Sequence, residues 1–465
     1  MALGRFSLRK TPAEPAPGRA SEQTSAAGTP GRQLAEVEGG NIRQRLLDAK
    51  LRIHRRIIDE INLSAVEKIA VKELRPQIFE LVAQHVTSER IVLNAQELEQ
   101  FVDDILNEMT GLGPIEPLLK DDTINDILIN THRQIYIERR GVLELSDARF
   151  KDESHLLRII NKIVSTVGRR VDESQPMCDA RLLDGSRVNV AIKPIAVDGP
   201  LVSIRKFSKK ALSMERLIDI NSISKEMVAL LIAAVKGRVT ILVSGGTGSG
   251  KTTMLNALSS YITHDERLIT IEDAAELQLQ QPHVARMETR PPSIEGKGEI
   301  RQRELLKNAL RMRPDRIIVG ECRGEEAFDM LQAMNTGHEG SMTTIHANTA
   351  RDALSRLEQM IGMAGYPMTI QSLRSQITSA IRVVVQLSRL SDGKRRIVSI
   401  SEITGIEGDI IQMQEIFKFN RTATLEDGSI QGHFQATGVR PKFLGELASR
   451  GLTVPAAYFD PTKQL

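Results

Sequence analysis

Cysteine is nearly missing from this chain: two residues, Cys178 and Cys322, stand among 465. So far apart, they build neither a zinc knuckle nor a disulfide framework, and a reducing cytoplasm is the expected home. Tryptophan is absent and aromatics reach only 3%, which leaves few rings on which single-stranded bases stack. No uninterrupted apolar run approaches the roughly 18 residues of a membrane span, and the N-terminus lacks the apolar core of a signal peptide. Neither sign of charge dominates: 62 Lys and Arg face 59 Asp and Glu, a formal +3, so nothing draws the whole molecule to nucleic acid or a membrane surface. What is present is 41% hydrophobic residues, enough for cores in two or three domains.

The first 40 residues, with Pro12, Pro15, Pro17 and Pro30 and no amphipathic period, cannot bury enough apolar surface to offset ordering entropy and read as a disordered arm. Residues 41–110 switch to helical period. Leu46, Leu47, Ile53, Ile57, Ile58 and Ile61 stripe one segment, and Leu74, Ile78, Leu81 and Val82 the next, so a helical bundle is expected. Ser64 with Glu67 and Asn94 with Glu97 have the spacing of capping boxes. The first segment carries Arg43, Arg45, Lys50, Arg52, Arg55 and Arg56, a pattern typical of a solvated face.

Gly111-Leu112-Gly113-Pro114 marks a boundary. Short strands are expected at 124–129, 134–138, 142–145, 180–183, 187–192 and 201–207, with one amphipathic helix at 154–167, together a small α+β domain over 111–207. Residues 208–213 read as a hinge. From Met214 to the end, apolar strand-like runs alternate with helical patterns, the sequence form of an α/β domain with a mostly parallel sheet.

The most informative stretch lies there. Gly245-Gly246-Thr247-Gly248-Ser249-Gly250-Lys251-Thr252 satisfies G-x-x-x-x-G-K-[ST], follows the apolar run Val239–Val243 and opens a helical pattern from Lys251 to Ile262, which also takes in Thr253. It reads as a P-loop: glycines let successive N–H groups converge on phosphates, and the helix adds its N-terminal dipole. Lys251 supplies a mobile positive charge and Thr252 a hydroxyl for Mg²⁺.

Ligands of an open parallel sheet bind beyond the carboxyl ends of its strands. Glu272 and Asp273 follow the run Leu268–Ile271, Glu321 follows Ile317–Gly320, and His346 follows Ser341–Ile345, so all four are expected on the P-loop side. Asp315 precedes its strand, on the order of 20 Å from Glu321 at the usual rise, and is rejected as the active-site acid. Glu321 is therefore the candidate to hold a metal water or orient the attacking one, with Glu272 in support. His338 precedes its strand and is less well placed. Transition-state charge also calls for an arginine, and the α+β domain offers Arg181, Arg187 and Arg205.

Together these motifs resemble the secretion-type ATPases that power type II secretion, type IV pili, type IV secretion and archaeal flagella. The carrying stretches are the P-loop, TIEDAAEL (Thr270–Leu277), LRMRPDRIIVGE (Leu310–Glu321) and TGHEGSMTTIHAN (Thr336–Asn348). GLGPIEPLL (Gly111–Leu119), PMCDARLLDGSRVNV (Pro176–Val190) and LQLQQPHVARMETRPPSIEGKGEI (Leu277–Ile300) look most like the Tad (Flp) pilus branch, the CpaF/TadA type. The resemblance implies a RecA-like P-loop NTPase domain over 214–465, preceded by a PAS-like α+β domain. It implies a cytoplasmic homo-hexamer docked under inner-membrane platform proteins, hydrolysing Mg²⁺·ATP to move its two domains. It places Glu272 in the acidic box, Glu321 in the second Walker motif and both His338 and His346 in the histidine box, and matches Arg205 and Arg181 to the arginine fingers. Two distant cysteines cannot build the four-cysteine zinc module of many type II secretion relatives.

Two other readings compete. One is a RecA-like nucleic-acid motor, since that fold hosts many functions; the scarcity of aromatics disfavours it, and stable nucleic-acid binding is not expected. The other is an ATP-gated scaffold with little turnover, which an intact Lys251 and Glu321 argue against.

Overall fold

The computed structural model describes residues 52, 53, 56, 71–139, 141–207, 212–292 and 296–465. The expected arm, most of the first helical stripe, the Ser64 cap and residues 208–211 of the expected hinge lie outside these. No described helix is long and apolar enough to cross a membrane. The chain divides into two compact units between Glu116 and Pro117.

In the first unit, helices Val71–Ser88 and Ala95–Thr110 bury Leu74, Ile78, Val82, Phe101, Val102 and Ile105 against one another. The second helix starts where Asn94 accepts from the Glu97 N–H and the Glu97 carboxylate accepts from the Asn94 N–H, the reciprocal cap that its spacing forecast.

The second unit holds two sheets. The first runs β3-β2-β1-β6-β5-β4 and is antiparallel throughout. Its strands are β1 (Ile124–Thr131), β2 (Gln134–Arg139), β3 (Val142–Leu145), β4 (Met177–Arg181), β5 (Arg187–Ala191) and β6 (Leu201–Arg205). Helix Glu153–Thr166 turns Leu156, Ile159, Ile160, Ile163 and Val164 inward. One strand is displaced from expectation: β4 begins at Met177 rather than Ala180, because Leu182, Asp184 and Gly185 form the turn back to β5 and leave Leu183 95% exposed.

The second sheet has nine strands in the order β15-β14-β13-β12-β7-β11-β10-β8-β9. Its parallel part comprises β7 (Ile241–Gly245), β8 (Leu268–Glu272), β9 (Val284–Glu288), β10 (Arg316–Cys322), β11 (Met342–Ile345) and β12 (Val383–Arg389). Strands β7, β8 and β11 are buried at every position, as expected of parallel strands covered on both faces. The sheet is more mixed than its sequence suggests: β13 (Arg395–Glu407), β14 (Ile410–Thr424) and β15 (Ile430–Ala436) extend it as an antiparallel meander.

At the amino end of β10, opposite the P-loop, Arg316 is fully buried. Its Nε and Nη2 each donate at 2.7 Å to the two carboxylate oxygens of Glu266, and Nη1 donates to Val235 O. Burial by itself would raise the Glu266 carboxyl, but the hydrogen bonds and charge of Arg316 outweigh it and hold it below its ordinary value. The pair's contribution is therefore complete above the unfolded carboxylate pKa and is lost as pH falls through the lower folded one. Removing one partner strands a buried charge, so Glu266→Gln is expected to cost about 3–5 kcal/mol, read from the denaturant midpoint. An unchanged midpoint would mean that the carbonyls alone satisfy Arg316. Asp315 lies at this same end, accepting from the Arg267 N–H at 2.7 Å.

Candidate active site

Strand β7 delivers Gly245 to the loop, and helix Lys251–Ser259 leaves it. Gly248 and Gly250 have φ of +68° and +100°, left-handed conformations that glycine adopts without steric cost. A Cβ on Gly245 would run into Leu387 O and the Ser249 side chain. Lys251 Nζ donates to Gly245 O at 2.9 Å and Gly246 O at 3.0 Å, and Ser249 Oγ donates to Gly246 O at 2.9 Å. The ammonium is thus held over the loop, with the helix N-terminus facing the same space. Burial lowers the Lys251 pKa, opposed by the charge of Glu321.

Three strand ends converge here. Glu321 sits in the last turn of the pleat of β10, and its Oε1 lies 2.8 Å from His346 Nδ1, just beyond β11. His346 Nε2 lies 2.9 Å from Thr247 Oγ1 of the loop. The other Glu321 oxygen accepts from Arg323 Nη2 at 2.6 Å and Nε at 3.0 Å, and Arg323 Nη1 stands 3.4 Å from Asp273. A continuous polar chain therefore runs from the P-loop through His346 and Glu321 to Asp273. Burial would raise the Glu321 carboxyl, but hydrogen bonds from Arg323 and His346 bring it below its ordinary value. It is ionised at neutral pH and able to attract a cation or accept a proton.

Glu272 takes a different place. It is 3% exposed, and its Oε2 accepts from the N–H groups of Glu276 and Leu277 at 2.7 and 2.9 Å, which fixes the turn after β8. Its Oε1 is buried without a partner, and burial raises its pKa despite the two N–H groups. A Cβ on Gly320 would lie 2.7 Å from Glu272 Cγ, so glycine there lets β10 pass close to this carboxylate.

The structure does not bring every expected residue to the loop. His338 precedes β11, with Nδ1 at 3.1 Å from Ala333 O, at the sheet end where Arg316 is buried. Arg181 bonds Glu288 and donates to Ala275 O at 2.6 Å, while Arg187 donates to Ala274 O at 2.8 Å and pairs with Glu276. Arg205 faces its cross-strand partner Asp126 at 3.1 Å. These arginines line a cavity of about 1070 Å³ that also reaches Asp273, Arg290 and Arg323. Three residues went unremarked in the sequence: Arg323, Arg389 and Arg395. Arg323 is two positions past Glu321, and Arg389 ends β12; the strand-end rule applied to every strand would have found both.

Among the described residues no group of three or more His, Cys, Asp or Glu is gathered as a metal cage. The fit is with Mg²⁺, which keeps its waters and takes one or two protein oxygens beside substrate phosphates; Thr252 and Glu321 offer them.

Residues 108–430 match the family model described as Type II/IV secretion system protein. A Mycobacterium tuberculosis protein, Rv3659c, provisionally named for conjugal transfer, is 36% identical over 309 residues, covering 65% of this chain and 87% of its own. The type IV secretion system protein VirB11 of Bartonella quintana is 31% identical over 63% of this chain and 92% of its own. Among solved structures, the VirB11 ATPase of the Brucella suis type IV secretion system is 29% identical over 62% of this chain and 94% of its own, with a TM-score of 0.34.

Proposed function

This chain belongs to the type II/IV secretion system protein family, and we propose that it is an ATPase whose hydrolysis cycle moves the sheet β1–β6 against the RecA-like sheet to drive Tad-type pilus assembly. The observation that carries the reading is the hydrogen-bonded run from Thr247 through His346 to Glu321, which joins the P-loop to a half-buried, ionised carboxylate.

The geometry supports the following roles. The loop Gly245–Thr252 binds the phosphates, Lys251 neutralises them, and Glu321 takes the proton of the attacking water while His346 fixes its orientation. Bound Mg²⁺ would neutralise phosphate charge beside Thr252 and Glu321. Glu272 supports the acidic turn from which Asp273 meets Arg323. Arg205 and Arg181 are the finger candidates, His338 belongs to the histidine box, and the chain works as a homo-hexamer at the cytoplasmic face of inner-membrane platform proteins. The wording of Gly111–Leu119, Pro176–Val190 and Leu277–Ile300 supports the Tad branch and, with it, a PAS-like first sheet and a helical bundle ahead of it. A conjugal-transfer or type IV secretion motor is the second reading, supported by the names of the relatives. Deletion of the gene separates them by which is lost, surface pili or transfer of DNA.

The decisive assay is ATP turnover against protein concentration for wild type and Arg205→Ala, with assembly followed by light scattering. Activity is expected to rise as rings form and to fall at least about 10-fold in Arg205→Ala rings that still bind ATP. Turnover independent of assembly and of Arg205 would point to a self-contained NTPase.

A further inference from the structure

Strand β7 has two neighbours, and they bring opposite equipment to the P-loop. On one side β11 pairs with it through Ile345 and Ser244, and His346 and Glu321 approach from there. On the other side β12 pairs through Leu387 and Gly245 and ends in Arg389, whose partner across the β12–β13 hairpin is Arg395. Arg395 Nε donates to Gly248 O at 2.9 Å. A Cβ on Gly248 would lie 3.7 Å from Arg389 Nη1, and one on Gly250 3.7 Å from Arg395 Cδ. Both side chains therefore lie over the loop.

Their electrostatics differ from those of the arginines named above for the cavity and for Glu321. Arg181, Arg187, Arg205 and Arg323 each have a carboxylate partner. Among the described residues Arg389 and Arg395 pair with none. Their hydrogen bonds go to backbone carbonyls, Gly141 O at 2.9 Å for Arg389 and Gly248 O for Arg395. The one acid in the turn between them, Asp392, accepts from Ile430 N and Lys394 N. Like charges directly opposite in an antiparallel pair repel. Two uncompensated guanidinium groups facing each other beside an anion-binding loop lack a counter-ion, and the phosphates of a nucleotide supply it.

We propose that Arg389 and Arg395 are phosphate-binding residues of the nucleotide site, gripping the α- and β-phosphates from the flank opposite Glu321. The inference rests on the reading of Gly245–Thr252 as that site. The bond that breaks joins the γ-phosphorus to the bridging oxygen, on the Glu321 side, and charge builds there; contacts from the β12 side to the α-phosphate and the far oxygen of the β-phosphate change least as it breaks. They hold ground state and transition state alike, which lowers KM without raising kcat.

Fluorescent ADP titration and steady-state ATPase assays on the full chain test this. Replacing both residues (Arg389→Gln, Arg395→Gln) is expected to weaken ADP binding about 10- to 100-fold and to raise KM for ATP by a similar factor, with kcat within about threefold of wild type. Lysine at both positions is expected to recover part of the loss as a point charge without the planar fork. Both residues are exposed, and Arg389→Gln alone, which gives up one bond to a turn, serves if the double variant does not fold. ADP affinity within about twofold of wild type would overturn the proposal, as would a loss confined to kcat. Lys251→Met distinguishes the two levels: if it binds ADP like wild type, the nucleotide-site reading itself fails, whereas its loss of binding beside intact binding in the arginine variants removes only this inference.

Discussion

Glu321→Gln is expected to cut ATP turnover by roughly 10²- to 10⁴-fold while leaving nucleotide affinity within about threefold of wild type. Glutamine keeps the shape of the side chain and an oxygen for one of its two partners. It loses the charge, and with it both the capacity to take a proton and the attraction for a metal-bound water. The amide also presents a donor where one of the two arms, Arg323 or His346, now donates, so part of the polar chain from the P-loop must rearrange. Single-turnover hydrolysis alongside ADP and ATP titrations is the measurement. Turnover within about tenfold of wild type would move the active-site acid elsewhere, and Glu272 would be next to examine.

Lys251→Met is expected to act in two opposite directions. Truncating one member of a buried charge interaction costs a few kcal/mol, so nucleotide affinity should drop about 10²- to 10³-fold. Lys251 is, however, only 8% exposed, and burial outweighs the pull of Glu321 and lowers its pKa. A lysine whose folded pKa lies below the unfolded one adds stability only above the unfolded value, and that share is lost as pH falls through the folded one. At neutral pH its charge is thus a cost, and methionine of similar length removes it. Thermal melting without nucleotide should therefore show Lys251→Met at least as stable as wild type, with the stabilisation by added ADP abolished. A destabilised variant that still gains stability from ADP would contradict both halves.

How much of this could be read beforehand varied with burial. Strands β7, β10 and β11 are largely buried runs that lead into glycine, acid or histidine, and the strand-end rule alone puts Glu321 and His346 on the same side. The sequence wording raised His338 as well, yet its backbone precedes β11, and one strand cannot present both residues at the same end. Strand β9, half exposed and spelled VARME, carries no period to detect. The meander β13–β15 adds antiparallel pairs that the alternation of strands and helices did not announce. Arginines were the least legible. Their long side chains travel far from their backbones, and whether Arg181 meets a carboxylate or a phosphate depends on packing between two sheets, which no local pattern encodes.

The two sheets of the second unit are tied across β12 and across the β8–β9 end. Among the described residues the tie at β12 is one bond, Arg389 to Gly141 O in the turn between β2 and β3. At the β8–β9 end Arg181 and Arg187 hold Glu288, Glu276 and the carbonyls of Ala274 and Ala275. The strands between place these ties about 20 Å apart. If phosphate draws Arg389 away from Gly141, the weak tie opens and the strong one becomes a pivot. A swing of about 10° on that arm carries the β2–β3 turn roughly 3.5 Å, more than the length of the bond it left. Spin labels near positions 141 and 389 should then report a longer distance with ADP than without, while a pair across Arg181 and Glu288 stays still. A single arginine exchanging a carbonyl for a phosphate would thereby set the direction of the stroke, because only one end of the lever is free to travel.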